Sequence, residues 1–352
     1  MKHQASLALF LFAVFTFAHD TYGQPLKVTL LGTGAPPPVM HRFGPSILVE
    51  AGAQKFLFDA GRGATQRLLQ LRIPLREVHA LFLTHLHSDH VVGIPDLWLI
   101  GWSNGLRALP LRVWGPRGTK EMMWHLDKAF DFDIRIRLYD TRPPAQGVVI
   151  LAHDIEEGVV YEKTGVKITA FEVDHHPVKP AFGYRVDYAG RSVVLSGDTR
   201  VSENLIRHSQ GVDVLIHEVA SADALRRLGN APERVKAIVD HHVTPEQAGD
   251  IFTRVKPKLA VYSHIVEIRR EEKRQDGPGP QNEDARPDRA RKPAGSPRAR
   301  LRDLSKRLWN GRGSNHLGIM APPFPPSRPR LSSPEPSAWR SRGAFPVGEG
   351  SR

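Results

Sequence analysis

The heptapeptide Thr84–His90, with the sequence THLHSDH, constrains this chain more than any other stretch. It follows the apolar run 81–83, which predicts a short β-strand that ends where the polar residues begin. The heptapeptide contains four potential metal ligands: His85, His87, Asp89 and His90. A solvated histidine-rich loop would not need matching histidines and carboxylates further along the chain, and this chain has them. We therefore predict that the heptapeptide is one half of a two-metal site.

Polar residues also follow other predicted strands. His175 follows a mainly β region, and Asp198 follows the strand predicted at 192–196. The strand predicted at 259–262 is followed by Ser263 and His264. In an α/β protein such strand ends collect along one edge of the sheet, where a site can form. His175, Asp198 and His264 are therefore predicted to meet the heptapeptide at that edge.

The ligand types define two predicted metal sets. The first set comprises His85, His87, His175 and Asp198, and the second comprises Asp89, His90, Asp198 and His264. Asp198 is shared because each of its two carboxylate oxygens can bind one ion. Nitrogen and oxygen ligands without sulfur favour two Zn²⁺ ions, with Mn²⁺ or Fe as alternatives. Two such ions roughly 3.5–4 Å apart would hold a hydroxide between them, so the predicted chemistry is hydrolysis.

Other positions carry simpler predictions. Asp59 also ends a predicted strand, so it either caps the next helix or orients a metal-bound histidine. His153 has no partner at ligand spacing and is predicted to be structural. The stretch from Ile134 to Val173 is predicted to be largely β, a helix is predicted at 91–100, and a strand at 212–216.

A second helix is predicted from Pro245 to Phe252. Thr244 is a favoured capping residue, and proline is favoured at the first helical position because it lacks the N–H that would be unpaired there.

The net charge of +12 is concentrated near the C-terminus. Residues 269–352 hold 19 Lys and Arg against 9 Asp and Glu, so they carry +10 and the rest of the chain is close to neutral. Composition therefore gives no support for a basic groove in the folded part. Charged residues, Pro, Gly and Ser dominate the tail, and disorder is predicted. We interpret it as a polybasic tail for anionic surfaces, a tail without a selected role, or a sequence read out of frame.

Residues 1–23 are predicted to be a signal peptide. The apolar run 7–17 is too short for a comfortable membrane span, and Ala18 and Gly23 are small residues suited to cleavage. A buried first helix and a retained anchor are the alternatives. The chain has no cysteine, which excludes disulfides and thiolate ligands. We predict export to the periplasm or outside the cell, no stable membrane span, and a hydrolase domain at 24–268.

Five motifs in order resemble one known family. They are THLHSDH, DHHPVKPAFGYR, SGDTR, HHVTPEQA and YSH, within 26–268. This pattern resembles the metallo-β-lactamase superfamily, in the branch with ribonuclease Z and the zinc-dependent arylsulfatases. The resemblance implies an αββα sandwich, two mixed sheets flanked by helices, with the metals at one edge. It also implies His175 rather than His176 as the ligand, and Asp89 and His242 as catalytic residues, with His242 donating a proton to the leaving group.

The substrate prediction depends on what the chain lacks. Ribonuclease Z enzymes that grip tRNA usually carry a long arm between the His element and the Gly-Asp-Thr element, and here only 22 residues separate His175 from Asp198. A small-molecule sulfate or phosphate ester is therefore predicted as the substrate, and nucleic acid is less favoured. The alternatives are ribonuclease Z-type tRNA 3′ processing and a non-catalytic product with a damaged C-terminus. A homodimer is compatible with the sequence.

Overall fold

The computed structural model describes residues 26–36, 38, 41–227 and 229–266. The predicted signal peptide at 1–23 and the predicted tail at 269–352 lie outside the described residues. Within the described part, no helix is both long enough and apolar enough to cross a membrane.

Two six-stranded mixed sheets form the centre of the molecule. The first sheet contains β1 (Leu26–Gly32), β2 (Ser46–Ala51), β3 (Gln54–Phe58), β4 (Ala80–Phe82), β5 (Leu111–Gly115) and β6 (Ile150–Asp154), in that spatial order. The second contains β7 (Gly158–Lys163), β8 (Val166–His175), β9 (Val178–Tyr188), β10 (Arg191–Leu195), β11 (Val214–Ala220) and β12 (Leu259–Val266), again in sequence order across the sheet. In the first sheet β1, β2 and β3 run as antiparallel neighbours, and β4 to β6 pair in parallel beyond β3. In the second sheet β7 to β10 are antiparallel neighbours, and β11 and β12 pair in parallel beyond β10.

Helices cover the outer faces of both sheets. The described residues form α1 (Ala64–Gln70), α2 (Ser88–Val91), α3 (Ile94–Ser103), α4 (Thr119–Ala129), α5 (Asp131–Tyr139), α6 (Glu203–His208), α7 (Ala222–Arg227), α8 (Pro232–Val239) and α9 (Pro245–Val255). Thr244 caps α9 in a capping box with Gln247, and Pro245 stands at the first helical position, as predicted.

Side-chain alternation along the strands produces three apolar layers. In β3, Phe56 and Phe58 pack between the two sheets, whereas Leu57 packs against the helices outside. In β10, Val194 packs against α6 and α9 while its two neighbours in the strand point between the sheets. Because both faces of these strands are covered, they are nearly continuous apolar runs. The layers follow the order helix, sheet, sheet, helix, which confirms the predicted αββα sandwich.

The stretch from Ile134 to Val173 was predicted to be largely β, and β6, β7 and β8 confirm this for its later part, but its start lies in helix α5, where the prediction was wrong. Ile134, Ile136 and Leu138 alternate with charged residues, which is the pattern of a half-buried strand. In the structure Ile134 is buried and Ile136 is exposed, while Arg137 pairs with Asp133 at 2.8 Å across one helical turn. The helical period is thus carried by packing and by i,i+4 charge pairs rather than by simple alternation.

Two strands of the second sheet run further than predicted. β11 continues through Glu218 to Ala220, and β12 continues through His264 to Val266. Glu218 pairs in register with Ser263, so polar residues remain inside the parallel ladder. Each of these two strands supplies the backbone hydrogen-bond partners that keep the other strand extended beyond its apolar run.

The predicted helix at 91–100 is divided into α2 and α3 by Val92 and Gly93. A β-carbon on Gly93 would lie 2.5 Å from the carbonyl oxygen of Gly61, so this position requires glycine. The Gly93 amide donates to the carbonyl of Ala60, and the Ala60 amide donates to the carbonyl of His90, each at 2.8 Å. These contacts fasten the end of α2 and the start of α3 against the loop that follows β3.

Candidate metal centre

Both sheets contribute to one cluster of histidines and carboxylates. The first sheet supplies the segment after β4 and the short helix α2, and the second supplies the ends of β8, β10 and β12. The structure brings together all seven residues predicted as metal ligands: His85, His87, Asp89, His90, His175, Asp198 and His264. Their roles as ligands stay predictions, and their proximity is a finding.

The first group surrounds His87. Its Nδ1 atom lies 2.9 Å from Nε2 of His85 and 3.4 Å from Nε2 of His175. Oδ2 of Asp198 lies 3.7 Å from Nε2 of His85 and 3.9 Å from Nε2 of His175. The other three residues are buried and His87 is exposed, so the group is accessible to solvent on the His87 side. These are the four residues of the first predicted set.

The second group lies on the other side of the same carboxylate. Oδ2 of Asp89 lies 3.2 Å from Nε2 of His264 and 3.6 Å from Nε2 of His90. Oδ2 of Asp198 lies 3.3 Å and 3.4 Å from the same two nitrogens. Asp198 therefore faces both groups, which is the position predicted for a shared ligand.

The donor set suits a divalent cation. Nε2 of His90 and Oδ1 of Asp198 are buried atoms that have no hydrogen-bond partner among the described residues. Unpaired buried polar atoms are costly unless a ligand or solvent satisfies them. Neutral imidazole nitrogens and carboxylate oxygens without sulfur fit zinc, and the same atoms also fit manganese or iron.

Asp59 supports the second group from behind. One carboxylate oxygen accepts hydrogen bonds from the Thr84 hydroxyl at 2.9 Å and lies 2.8 Å from Nδ1 of His90, while the other accepts from the Thr84 amide at 2.8 Å. The contact fixes which ring nitrogen of His90 points into the cluster. The orienting role considered for Asp59 is thus the one its contacts support. Its backbone is left-handed, with φ of 57°, which a non-glycine residue adopts at a cost.

His264 shares that backbone feature, with φ of 41°. The next amide, that of Ile265, donates to the carbonyl of Thr33 at 2.8 Å and so ties β12 to the loop after β1. Left-handed residues at a site persist when surrounding contacts hold them. Here Asp59 is held by its contacts with Thr84 and His90, and the backbone after His264 is held by the bond from Ile265 to Thr33.

His242 is held by a residue that sequence reasoning left without a role. Nδ1 of His242 lies 3.2 Å from Oε2 of Glu218, whose other oxygen accepts from the Val243 amide at 2.9 Å. A ligand-type atom of His242 lies within 4.8 Å of those of Asp198 and His264. Glu218 could have been found, because it belongs to a His-Glu pair after an apolar strand, the same signal that identified Asp198.

Burial lowers the pKa of some histidines of the site, and neighbouring carboxylates raise the pKa of others. Burial lowers the pKa of His85 well below its ordinary value and the pKa of His175 and His242 to about 4, so these imidazoles are neutral near pH 7. Burial alone would also lower the pKa of His90 and His264, but Asp198 and then their other carboxylate neighbours raise both. A cation binding beside these carboxylates therefore competes with protons.

Three other histidines considered from the sequence, His176, His241 and His153, are not among the predicted ligands that the structure brings together. His176 is exposed and outside the cluster, so the choice of His175 agrees with the geometry. The carbonyl of His241 lies 2.9 Å from Nδ1 of His175, which gives His241 an orienting contact through its backbone. His153 lies in β6 and stacks on Trp114 with ring centroids 5.2 Å apart, away from the cluster.

Comparisons with known proteins agree with this fold. The family model described as "Beta-lactamase superfamily domain" matches residues 54–265. The chain therefore belongs to the β-lactamase superfamily, in which the sequence had placed it, and is a metal-dependent hydrolase of that fold.

Within the family, the chain is similar to proteins named ribonuclease Z. It is 40% identical over 247 residues to "Ribonuclease Z" of Mycolicibacterium gilvum, which covers 68% of this chain and 84% of that protein. It is 38% identical to "Ribonuclease Z" of Mycobacterium bovis, with 68% and 86% covered. The short form of human tRNase Z has a TM-score of 0.55 at 23% identity, over 68% of this chain and 92% of that chain, and shows the shared fold.

Proposed function

We propose that this protein is a ribonuclease Z-type phosphodiesterase that cleaves an RNA phosphodiester bond at the 3′ end of a precursor tRNA. The observation that carries the proposal is the 40% identity to a ribonuclease Z across 84% of that protein's length. This similarity supports the alternative substrate considered from the sequence over the sulfate ester. A sulfate ester remains chemically close, because sulfate and phosphate are both tetrahedral oxyanions.

The proposed ligands are the seven residues of the cluster, and the metal would supply Lewis-acid stabilisation of charge on the attacked phosphoryl group. His242, which burial keeps neutral near pH 7, would take up a proton and pass it to the leaving oxygen, and Glu218 orients its ring by contacting Nδ1. Asp59 fixes the His90 ring. Asp89 contacts His264 at 3.2 Å and keeps a carboxylate beside the reacting centre.

A groove beside β1 offers a place for the nucleic-acid backbone. Its lining includes Arg42, Arg67 and His41. The cavity at the cluster is lined by Pro45 and Ser46, which follow Arg42 closely in the chain. Arginine guanidinium groups bind phosphate oxygens in a fixed geometry. The near-neutral composition of this part of the chain thus coexists with local positive charge at the proposed substrate path.

A small phosphate or sulfate ester is the second candidate, and one observation and one prediction favour it. β8, β9 and β10 are joined by short turns, so the described chain between His175 and Asp198 contains no arm. The predicted signal peptide at 1–23 would also direct the protein out of the cytoplasm, where tRNA is processed. Fractionation of cells that express the full chain would test export directly.

Three substrates distinguish these candidates. The full chain, reconstituted with Zn²⁺, is incubated with a precursor tRNA that carries a 3′ extension, with bis(p-nitrophenyl) phosphate, and with p-nitrophenyl sulfate. We expect cleavage of the precursor and turnover of the phosphodiester, without sulfate release. Turnover of either small ester with an intact precursor would overturn the tRNA assignment.

Three variants test whether any activity belongs to this site and to the groove. His242→Ala should lose most activity on both phosphodiesters, whereas His153→Ala should match the unaltered protein. Arg42→Gln should raise KM for the precursor and leave KM for bis(p-nitrophenyl) phosphate unchanged, because only the long substrate reaches the groove.

A further inference from the structure

Arg200 connects three segments that carry residues of the candidate site. Its Nε atom donates to the carbonyl of Asp240, its Nη2 donates to the carbonyl of His176 at 3.4 Å, and its Nη1 lies 3.5 Å from Oδ2 of Asp174. Its own amide donates to the carbonyl of Asp174 at 2.7 Å. One side chain thus joins the loop after β8, the loop after β10 and the loop after α8.

Each of these loops carries or directly follows a histidine or carboxylate of the candidate site. His175 is the last residue of β8, just before the first loop, while Asp198 lies in the second loop and His242 in the third. The third loop presents two successive carbonyls to different partners: that of Asp240 accepts from Arg200, and that of His241 faces Nδ1 of His175. A shift of this loop would therefore change both the acceptor that orients His175 and the position of His242.

We propose that Arg200 is a positioning residue that holds the His242 loop against the His175 loop and so sets the geometry of the site. The role uses the planar guanidinium, which offers five N–H donors in a fixed fork and can satisfy acceptors in three directions. The proposal deepens the proposed function, since the positioned residues are the ones that would bind the metal and donate the proton.

Ordinary surface stabilisation does not account for this arrangement. The Arg200 side chain is 37% exposed and Asp174 is 55% exposed, so their ion pair contributes little to stability. The two bonds to backbone carbonyls instead fix where the loops lie. Residues that support metal ligands in this indirect way typically change metal affinity or activity by about 10–100-fold when removed.

The chain supplies a matched control in Arg185. Its Nε contacts Asp187 at 3.0 Å, and its Nη1 donates to the carbonyls of His208 and Gln210 at 2.8 and 3.1 Å. Arg185 thus braces a loop by the same kinds of contact, but that loop carries no residue of the cluster. Arg185→Met removes an equivalent set of bonds without touching the site.

The test compares Arg200→Met, Arg200→Lys and Arg185→Met in the full chain. Hydrogen–deuterium exchange is measured for peptides that cover 240–247 and 174–182, and Zn²⁺ affinity is measured by competition with a chelator. In Arg200→Met we expect faster exchange in both peptides and Zn²⁺ affinity lowered by about tenfold or more. Arg200→Lys should recover part of both losses, and Arg185→Met should leave both at the level of the unaltered protein. Exchange and affinity unchanged in Arg200→Met would overturn the proposal.

Kinetics with bis(p-nitrophenyl) phosphate separate positioning from substrate binding. A positioning role predicts a kcat lowered by about 10–100-fold with little change in KM. A raised KM with an unchanged kcat would mean that Arg200 binds the substrate, and would overturn the positioning role. If the unaltered protein turns over no phosphodiester, the proposed function fails, while exchange and Zn²⁺ affinity still decide the role of Arg200. If Arg200→Met does not fold, Arg200→Lys carries the same comparison.

Discussion

The carboxylate of Asp59 lies 2.8 Å from Nδ1 of His90, across the boundary between the loop after β3 and helix α2. The same carboxylate accepts two hydrogen bonds from Thr84, at the start of the histidine motif. One residue therefore fixes both the entry of the motif and the ring that ends it. This couples the geometry of the metal cluster to a side chain that is not itself among the predicted ligands.

Replacing Asp59 by Asn should weaken metal binding without unfolding the protein. An amide has only one acceptor oxygen, so its NH₂ group must face either the Thr84 amide or Nδ1–H of His90, and two donors then oppose each other. We expect Zn²⁺ affinity to fall by about 10–100-fold, measured by chelator competition. Asp187→Asn, in a pair with Arg185 away from the cluster, should keep the original affinity. Equal affinities in the two variants would contradict the orienting role.

His87→Ala should remove most hydrolysis because its Nδ1 atom lies 2.9 Å from Nε2 of His85 and 3.4 Å from Nε2 of His175, in the first group of predicted ligands. Dialysis against a chelator should have the same effect on the unaltered protein, with activity restored by added Zn²⁺. His153→Ala is the histidine control, since its ring stacks on Trp114 outside the cluster. Full activity in a chelator-treated sample shown to be free of metal would contradict the assignment.

Gly93→Ala should destabilise the fold. A β-carbon would lie 2.5 Å from the carbonyl oxygen of Gly61 and 2.8 Å from that of Ala60, so the backbone must shift. We expect a loss of about 1–3 kcal/mol in the free energy of unfolding, measured with urea. Gly249→Ala is the counterpart in α9, where nothing lies within 4 Å of the added carbon, and should stabilise by about 0.5–1 kcal/mol. An unchanged free energy of unfolding in Gly93→Ala would contradict this prediction, because it would mean that the loop after β3 and α2 can move apart at little cost.

Acid should remove the stability that the ionised Asp213 side chain contributes to the second sheet. Its carboxylate accepts from the Lys258 ammonium at 2.7 Å and from the Ser192 amide at 2.8 Å, and these contacts lower its pKa from 3.8 to about 2. A lowered folded-state pKa gives stability that is present above the unfolded-state pKa, near 4, and is lost as the pH falls towards 2. Urea unfolding of the metal-free chain should therefore show that Asp213→Asn costs most at neutral pH. A cost that grows as the pH falls would contradict this reasoning.

The sequence predicted the proximity of the cluster residues because most of the predicted ligands come at the ends of apolar runs that predict strands. In β4 and β10 the run is buried, whereas the run of β12 is largely exposed and burial begins only at its polar end, Ser263 and His264. The edge of the sheet collects the polar residues at these strand ends. Asp198 and His264 were therefore placed correctly without knowledge of their distances. The αββα layers were predicted from the resemblance of the motifs to the metallo-β-lactamase superfamily, and the strands covered on both faces agree with that prediction.

What the sequence did not predict depends on contacts between distant segments. Alternation at 134–138 indicated a strand, but Ile134 packs into the core as part of a helix. Glu218 lies inside β11 because Ser263 pairs with it, and no local pattern carries that information. Arg200 ends the SGDTR motif but received no role from the sequence, and the positioning role proposed for it depends on contacts where three loops meet. Loop geometry of this kind is set by tertiary packing and cannot be read from periodicity.

The two sheets are continuous in sequence, β1 to β6 before residue 155 and β7 to β12 after it, and the site draws on both. A cut in the connection at 155–157 would therefore yield two fragments with one whole sheet each. The first would carry His85, His87, Asp89 and His90, and the second would carry His175, Asp198, His242 and His264. Neither fragment could form a complete metal set alone. Metal binding by the mixed fragments would thus report their reassembly, which makes this fold a natural basis for a split-protein sensor.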